Sequence, residues 1–165
     1  MKNKEFEYSF KVTSLDPFFN YCKENGYKEI EKNKQTRILY KKQDKTMARL
    51  TIKETKDGIK KELDFKQDLT TNDVLTERKE SMAIPYEDDE AVLSIIEFLG
   101  YKKDIVLCRI RSVLQKENVK FEIDDYLSPE QIYVVAIEGE EKESTNVYQE
   151  IKNKYIDYFL TENNN

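Results

Sequence analysis

The stretch Glu5-Phe6-Glu7-Tyr8-Ser9-Phe10-Lys11-Val12 alternates polar with apolar residues. An extended chain therefore carries Glu5, Glu7, Ser9 and Lys11 on one face and Phe6, Tyr8, Phe10 and Val12 on the other. The same two-residue period recurs. Arg49, Thr51 and Lys53 oppose Ala48, Leu50 and Ile52, while Lys60, Glu62, Asp64 and Lys66 oppose Ile59, Leu63 and Phe65. Arg78 with Glu80, Arg109 with Arg111, Glu122 with Asp124, and Glu138 with Glu140 each share a face. Such a pattern suits either half-exposed sheets with their charges in water or a closed barrel with its charged faces inward. The kind of charge bears on the choice. Lysine is scattered widely, whereas the five arginines Arg37, Arg49, Arg78, Arg109 and Arg111 sit inside predicted strands. A guanidinium offers a planar fork of donors that pairs bidentately with phosphate or carboxylate and tolerates burial better than an ammonium.

Composition narrows the chemistry. The chain has no His, which removes the commonest zinc ligand, the usual neutral-pH general base and every Ser-His or Cys-His nucleophile. A net charge of −5 and a pI near 5.1 repel nucleic acid and anionic membranes, so an anion site must be a local cluster. Cys22 and Cys108 lack metal-ligand spacing and read as reduced and structural. There is no secretory h-region at the start and no apolar run of membrane-spanning length, which predicts a soluble, cytoplasmic protein without nucleic-acid or membrane partners.

These charges need elements to hold them. At 165 residues the chain suits one domain, expected over residues 1–160, with a frayed tail at 161–165. Three helices are signalled. The first follows Ser14 or Asp16 as cap, with Pro17 in its first turn and Gly26 as its stop. The second repeats Val92, Ile95, Ile96 and Leu99 before Gly100, and the third repeats Val147, Ile151, Tyr155 and Phe159. The intervening segments read as strands, with Lys56-Asp57-Gly58 as a hairpin turn and a short turn at Ser128–Gln131. The class is α+β.

In this order the segments resemble the CYTH or triphosphate tunnel metalloenzyme family, which includes class IV adenylate cyclases, thiamine triphosphatases and inorganic tripolyphosphatases. Its opening Glu-x-Glu-x-Lys strand is similar to Glu5, Glu7 and Ser9 here. Its Leu-Arg-x-Arg strand resembles Met47-Ala48-Arg49-Leu50-Thr51, with Arg49 in the first Arg position and Thr51 in the second, its Leu-Thr-x-Lys strand resembles Leu63-Asp64-Phe65-Lys66, and its Arg-x-Glu-x-Glu strand resembles Arg78-Lys79-Glu80-Ser81-Met82. Phe98-Leu99-Gly100-Tyr101, Arg109-Ile110-Arg111, Ile123-Asp124 and Ala136-Ile137-Glu138 follow in the family's order. Ser9, Thr51, Asp64, Met82 and Ala136 depart from the family's Lys, Arg, Thr, Glu and Glu. A second register takes Thr51-Ile52-Lys53 as the Thr-x-Lys strand, followed by Lys60, Glu62 and Asp64.

The resemblance implies an eight-stranded antiparallel β-barrel, a tunnel with a charged interior and helices packed outside. It implies Mg²⁺ or Mn²⁺ on Glu5, Glu7 and Glu138, and a small-molecule triphosphate or nucleotide on Arg49, Lys66, Arg78, Arg109 and Arg111, with Lys11 and Lys53 in reserve. Glu80 or Asp124 would orient an attacking water, in a monomer or homodimer. Three functions stay open: a metal-dependent triphosphate hydrolase, a class IV adenylate cyclase, and a binding module without catalysis. The cyclase branch carries a His-Phe pair that this chain lacks.

Overall fold

A computed structural model describes residues 5–71 and 74–160, so the expected frayed tail lies outside the described residues. The strands are β1 (Glu5–Val12), β2 (Lys28–Lys41), β3 (Thr46–Thr55), β4 (Gly58–Thr71), β5 (Leu75–Glu80), β6 (Ile84–Pro85), β7 (Lys102–Lys116), β8 (Val119–Ser128) and β9 (Ile132–Gly139). The helices are α1 (Asp16–Glu24), α2 (Asp89–Phe98) and α3 (Glu141–Tyr155). The strands run in the order β3-β2-β7-β8-β9-β1-β5-β4, and β3 pairs with β4 to close an eight-stranded antiparallel barrel. The two-residue β6 adds only a short pairing to β4.

Closure turns the period-two pattern into an inside and an outside. The apolar faces point out under the helices. Phe10, Phe18, Cys22, Phe121, Ile137, Tyr148 and Ile151 form one buried layer beneath α1 and α3. Ala48, Leu50, Leu63, Ile96 and Tyr101 form a second beneath α2. Each layer removes apolar surface from water at roughly 25 cal/mol per Å². Cys22 is fully buried and its thiol is pushed up to about 12 by that burial, and both cysteines are free of disulfides. Among the described residues, no helix is long and apolar enough to cross a membrane.

The helix ends differ from expectation in two places. Neither Ser14 nor Asp16 caps α1: Leu15 occupies the cap without a side-chain hydrogen bond, and its carbonyl accepts from Phe18 and Phe19. Pro17 has no N–H, so one of the donors that a side-chain cap satisfies is missing. In the third helix, Ser144 lies within the first turn, where its hydroxyl donates to the carbonyls of Glu140 and Glu141. Phe159 falls beyond the helix. A short 3₁₀ turn, Ile156–Tyr158, redirects the chain so that Phe159 bridges to Val12 and stacks on Phe10, ring centroids 4.4 Å apart.

Gly139 ends β9 at a close approach, because a Cβ there would meet the carbonyl oxygen of Asn118 at 2.8 Å, and its φ of +158° is one that side chains rarely adopt. Gly139→Ala is expected to destabilise the fold by about 1–3 kcal/mol. A denaturant midpoint unchanged from the parent would show that the β8 turn yields freely.

Candidate active site

The barrel encloses a lumen of about 390 Å³, and all five arginines of the chain line it. So do Glu5, Glu7, Lys53, Lys66, Glu80, Asp124 and Glu138 among the residues singled out from sequence. Lys11 does not. It keeps the inward parity of β1 but stands exposed past the end of the lumen, in a surface depression with Thr13, Glu130 and Tyr133. The hairpin register sets Arg49 on β3 opposite Asp64 on β4, with Lys66 farther along β4 and Arg78 and Glu80 on β5.

One wall is acidic. Glu7, Glu122 and Glu138 bring carboxylate oxygens within 4.8 Å of one another. Glu7 and Glu138 are direct cross-strand partners, and Glu122 enters from β8, whose Lys120 opposite Glu138 sets it one step along. Glu122 was legible as an inward residue of its strand but had no place among the expected ligands, because only the barrel register brings it to the other two. Burial and the neighbouring Glu122 hold the Glu138 carboxyl well above the usual carboxylate range. Glu122 is held low, chiefly by Arg111, whose Nη1 lies 2.7 Å from its carboxylate. The two carboxyl groups are close enough to hydrogen-bond each other, which holds Glu138 up and Glu122 down.

The guanidiniums divide into paired and unpaired. Arg111 donates from Nε and Nη2 to the two oxygens of Asp124, both at 2.8 Å. Arg49 makes the same two-pronged contact with Asp64 and lies 3.4 Å from Glu80. Arg78 reaches Glu7 at 2.9 Å, Asp68 at 3.0 Å and Glu80 at 3.7 Å. Lys53 is held by Glu31 at 2.9 Å and Glu62 at 3.4 Å. Arg109, by contrast, donates to the neutral oxygens of Gln35, at 2.9 and 3.0 Å, and Tyr126, at 2.8 Å, with Asp124 no nearer than 3.9 Å. Arg37 donates to Thr51 at 3.1 Å.

Several of the departures seen in the sequence become intelligible in this frame. Thr51 accepts from Arg37, Asp64 pairs with Arg49, and Ser9 faces Ala136 across β1 and β9. The last two small residues leave one contiguous uncharged gap beside the acidic wall.

Lys66 adds a titrating cation. Burial, then the Arg78 charge, lowers it from 10.5 to about 8 despite Asp68 at 3.6 Å. Between those two values the folded chain binds fewer protons than the unfolded one, so Lys66 makes the fold gain stability as pH rises through that window. Anion affinity is expected to run the other way, weakening by up to about tenfold per pH unit above pH 8 as the ammonium is lost. Calorimetric titration of tripolyphosphate from pH 6.5 to 9.5 (about half-unit steps suffice) checks this. A Lys66→Gln profile as steep as the parent's would remove Lys66 from the site.

No protein-family model matches the sequence, and no curated protein matches it either. Solved structures do. The chain superposes on the PH1012 protein of Pyrococcus horikoshii with a TM-score of 0.75 at 18% identity, covering 97% of this chain and 93% of that one. HpAC1 from Hippeastrum, studied as an adenylyl cyclase and described as having a dominant triphosphatase activity, gives 0.65 at 13% identity over 96% and 91% of the two chains. A chain of the Schizosaccharomyces pombe Mediator head module gives 0.63 at 10% identity over 96% and 97%. One architecture thus serves an enzyme and a component of a large assembly, so function has to be read from the lumen. The resemblance to the CYTH proteins holds at the level of the fold: the chain is a closed eight-stranded antiparallel barrel with its charged faces inward.

Proposed function

We propose that this protein is a hydrolase of a triphosphate-bearing small molecule, bound inside the barrel and acted on with Mg²⁺ or Mn²⁺. The observation that carries the reading is the meeting of opposites in one lumen: a trio of convergent carboxylates on β1, β8 and β9, and in the same cavity Arg109, whose close hydrogen bonds go to the neutral Gln35 and Tyr126, together with the buried Lys66. The trio fits a hard divalent ion, which prefers oxygen donors and commonly takes one or two carboxylates together with substrate phosphate and water. The crowding of Glu138 by burial and by Glu122, which raises its carboxyl well above the usual range, marks a place where positive charge is needed. Glu7, Glu122 and Glu138 would hold the ion, with Glu5 at the rim. When bound, such an ion neutralises phosphate oxygens and makes a coordinated water more acidic.

The chain's own residues supply the rest. Arg109 and Lys66 bind phosphate oxygens, and their burial in the barrel, where charges are less screened than in bulk water, strengthens each contact. Glu80 and Asp124 have a positioning role in this reading: Asp124 fixes Arg111 through two hydrogen bonds, and Glu80 lies between Arg49 and Arg78. Phosphoryl transfer needs mostly placement and charge stabilisation, so the lack of His is no obstacle.

A second reading, binding without turnover, is favoured by one observation. Glu7 is already engaged by Arg78 at 2.9 Å, so the cation and Arg78 share this ligand. Phosphorus NMR with Mg²⁺ or Mn²⁺ and, separately, tripolyphosphate, thiamine triphosphate and ATP decides between them. Orthophosphate with a diphosphate product supports the hydrolase; pyrophosphate with a cyclic nucleotide replaces it with a cyclase. Shifted or broadened substrate resonances without product would establish the binding module.

A further inference from the structure

Arg37 differs from the other arginines of the lumen. Arg49, Arg78 and Arg111 each contact at least two carboxylates, and Arg109 has Asp124 nearby at 3.9 Å. Arg37 has only the hydroxyl of Thr51 on its Nε, and among the described residues no carboxylate comes within ion-pairing distance of it. Its surroundings are cationic instead. Burial and the charges of Arg109, Arg49 and Arg111 push its guanidinium well below the usual arginine range, and Asp64 opposes them only weakly. A charge placed this way is expensive to the empty fold unless something else completes it.

Its place on the barrel says what would complete it. In the closed order β3-β2-β7-β8-β9-β1-β5-β4, β2 lies four strands from β1 in either direction. Arg37 therefore sits on the strand opposite that of Glu7, while Glu122 on β8 is only two strands away and is among the carboxylates its charge acts on. Beyond it the lining turns apolar, with Leu39 two residues along β2 and Leu107 as its register partner on β7. On the β3 side, by contrast, the lining stays charged, since Leu39 is the register partner of Arg49, which is opposite Asp64.

We propose that Arg37 is a substrate-binding residue, which grips an anionic group of the ligand from β2, on the strand opposite that of Glu7. This rests on the reading of the lumen as a triphosphate site. The chain retains an unpaired guanidinium because the ligand, and no residue of the protein, supplies its counter-charge. Thr51 orients that guanidinium toward the lumen, and the neighbouring leucines exclude water from the contact.

The proposal makes two expectations of opposite sign for Arg37→Gln. In buffer with EDTA, so that no metal contributes, the dissociation constant for tripolyphosphate rises roughly tenfold to hundredfold by isothermal titration. The ligand-free variant melts higher than the parent by about 2–4 °C, because an uncompensated charge has been removed from the lumen. Arg37→Lys, which keeps the charge without the fork, retains part of the affinity. An unchanged dissociation constant for Arg37→Gln overturns the proposal whatever the melting temperature. A ligand-free variant that melts lower also overturns it, since Arg37 would then serve the fold. Parent protein that binds tripolyphosphate normally beside an indifferent variant sinks this inference alone. Parent protein that binds none sinks the function reading and this inference with it.

Discussion

Glu138→Gln is expected to lower metal-dependent hydrolysis by at least about a hundredfold while making the metal-free protein more stable near neutral pH. The loss follows from the geometry: Glu138 is the member of the trio that faces Glu7 directly and hydrogen-bonds Glu122, so its replacement removes one anionic donor from the cluster. The gain has a separate cause. Three carboxylates within 4.8 Å repel one another, and the fold raises the Glu138 carboxyl well above its ordinary value. A raised acid binds more protons folded than unfolded, so its contribution is present at low pH and lost as pH rises through the folded value. An amide in its place does not titrate and can still donate to Glu122. Steady-state rates with Mg²⁺, and melting curves in EDTA from pH 5 to 8 (a span of about three units), test both halves. Full activity in the variant would show that the trio is not the metal site. A lower melting temperature throughout would show that Glu138 supports the fold.

Arg111→Met should have the opposite effect on stability. Asp124 has a side chain only 2% exposed, and both its oxygens accept from Arg111. Glu122 loses its contact at 2.7 Å in the same stroke. Removing one partner of a buried pair leaves an uncompensated charge and costs about 3–5 kcal/mol. For a domain of this size that corresponds to a melting temperature lower by roughly 6–20 °C. Adding Asp124→Asn should recover part of the loss, because the stranded carboxylate is removed as well. Calorimetry of the single and double variants measures the coupling. A single variant as stable as the parent would mean that water already solvates Asp124. Arg111 and Arg37 thus make a controlled pair: the same residue type, in the same lumen, with stability effects of opposite sign set only by whether the protein supplies a counter-charge.

The strands and their inward faces were legible because a period of two is a local property. In Glu5–Val12, or in Arg109 and Arg111, the chain itself says which residues share a face, and the placement of all five arginines inside strands was visible without any contact map. The three helices were visible for the same reason, from Gly26 and Gly100 as stops and from repeats such as Val92, Ile96 and Leu99. Helix ends were less legible. Ser14 and Asp16 carry the chemistry of a cap, but Leu15 occupies that position in α1 without a side-chain hydrogen bond.

The sequence by itself determined the inventory: alternating strands, a concentration of arginine on their polar faces, and no imidazole to do the chemistry. Only the tertiary structure decided who meets whom. Closure of β3 on β4 makes the polar faces an interior, and the registers of β1, β8 and β9 bring Glu122 beside Glu7 and Glu138 while Lys11 runs past the end of the lumen. The physical reason is that a charge's meaning depends on its partners. Parity along a strand is set by the backbone within a few residues, but a counter-charge comes from strands far away in sequence. Asp124 beside Arg111, Asp64 beside Arg49, and the absence of either beside Arg37 are facts of register around the barrel.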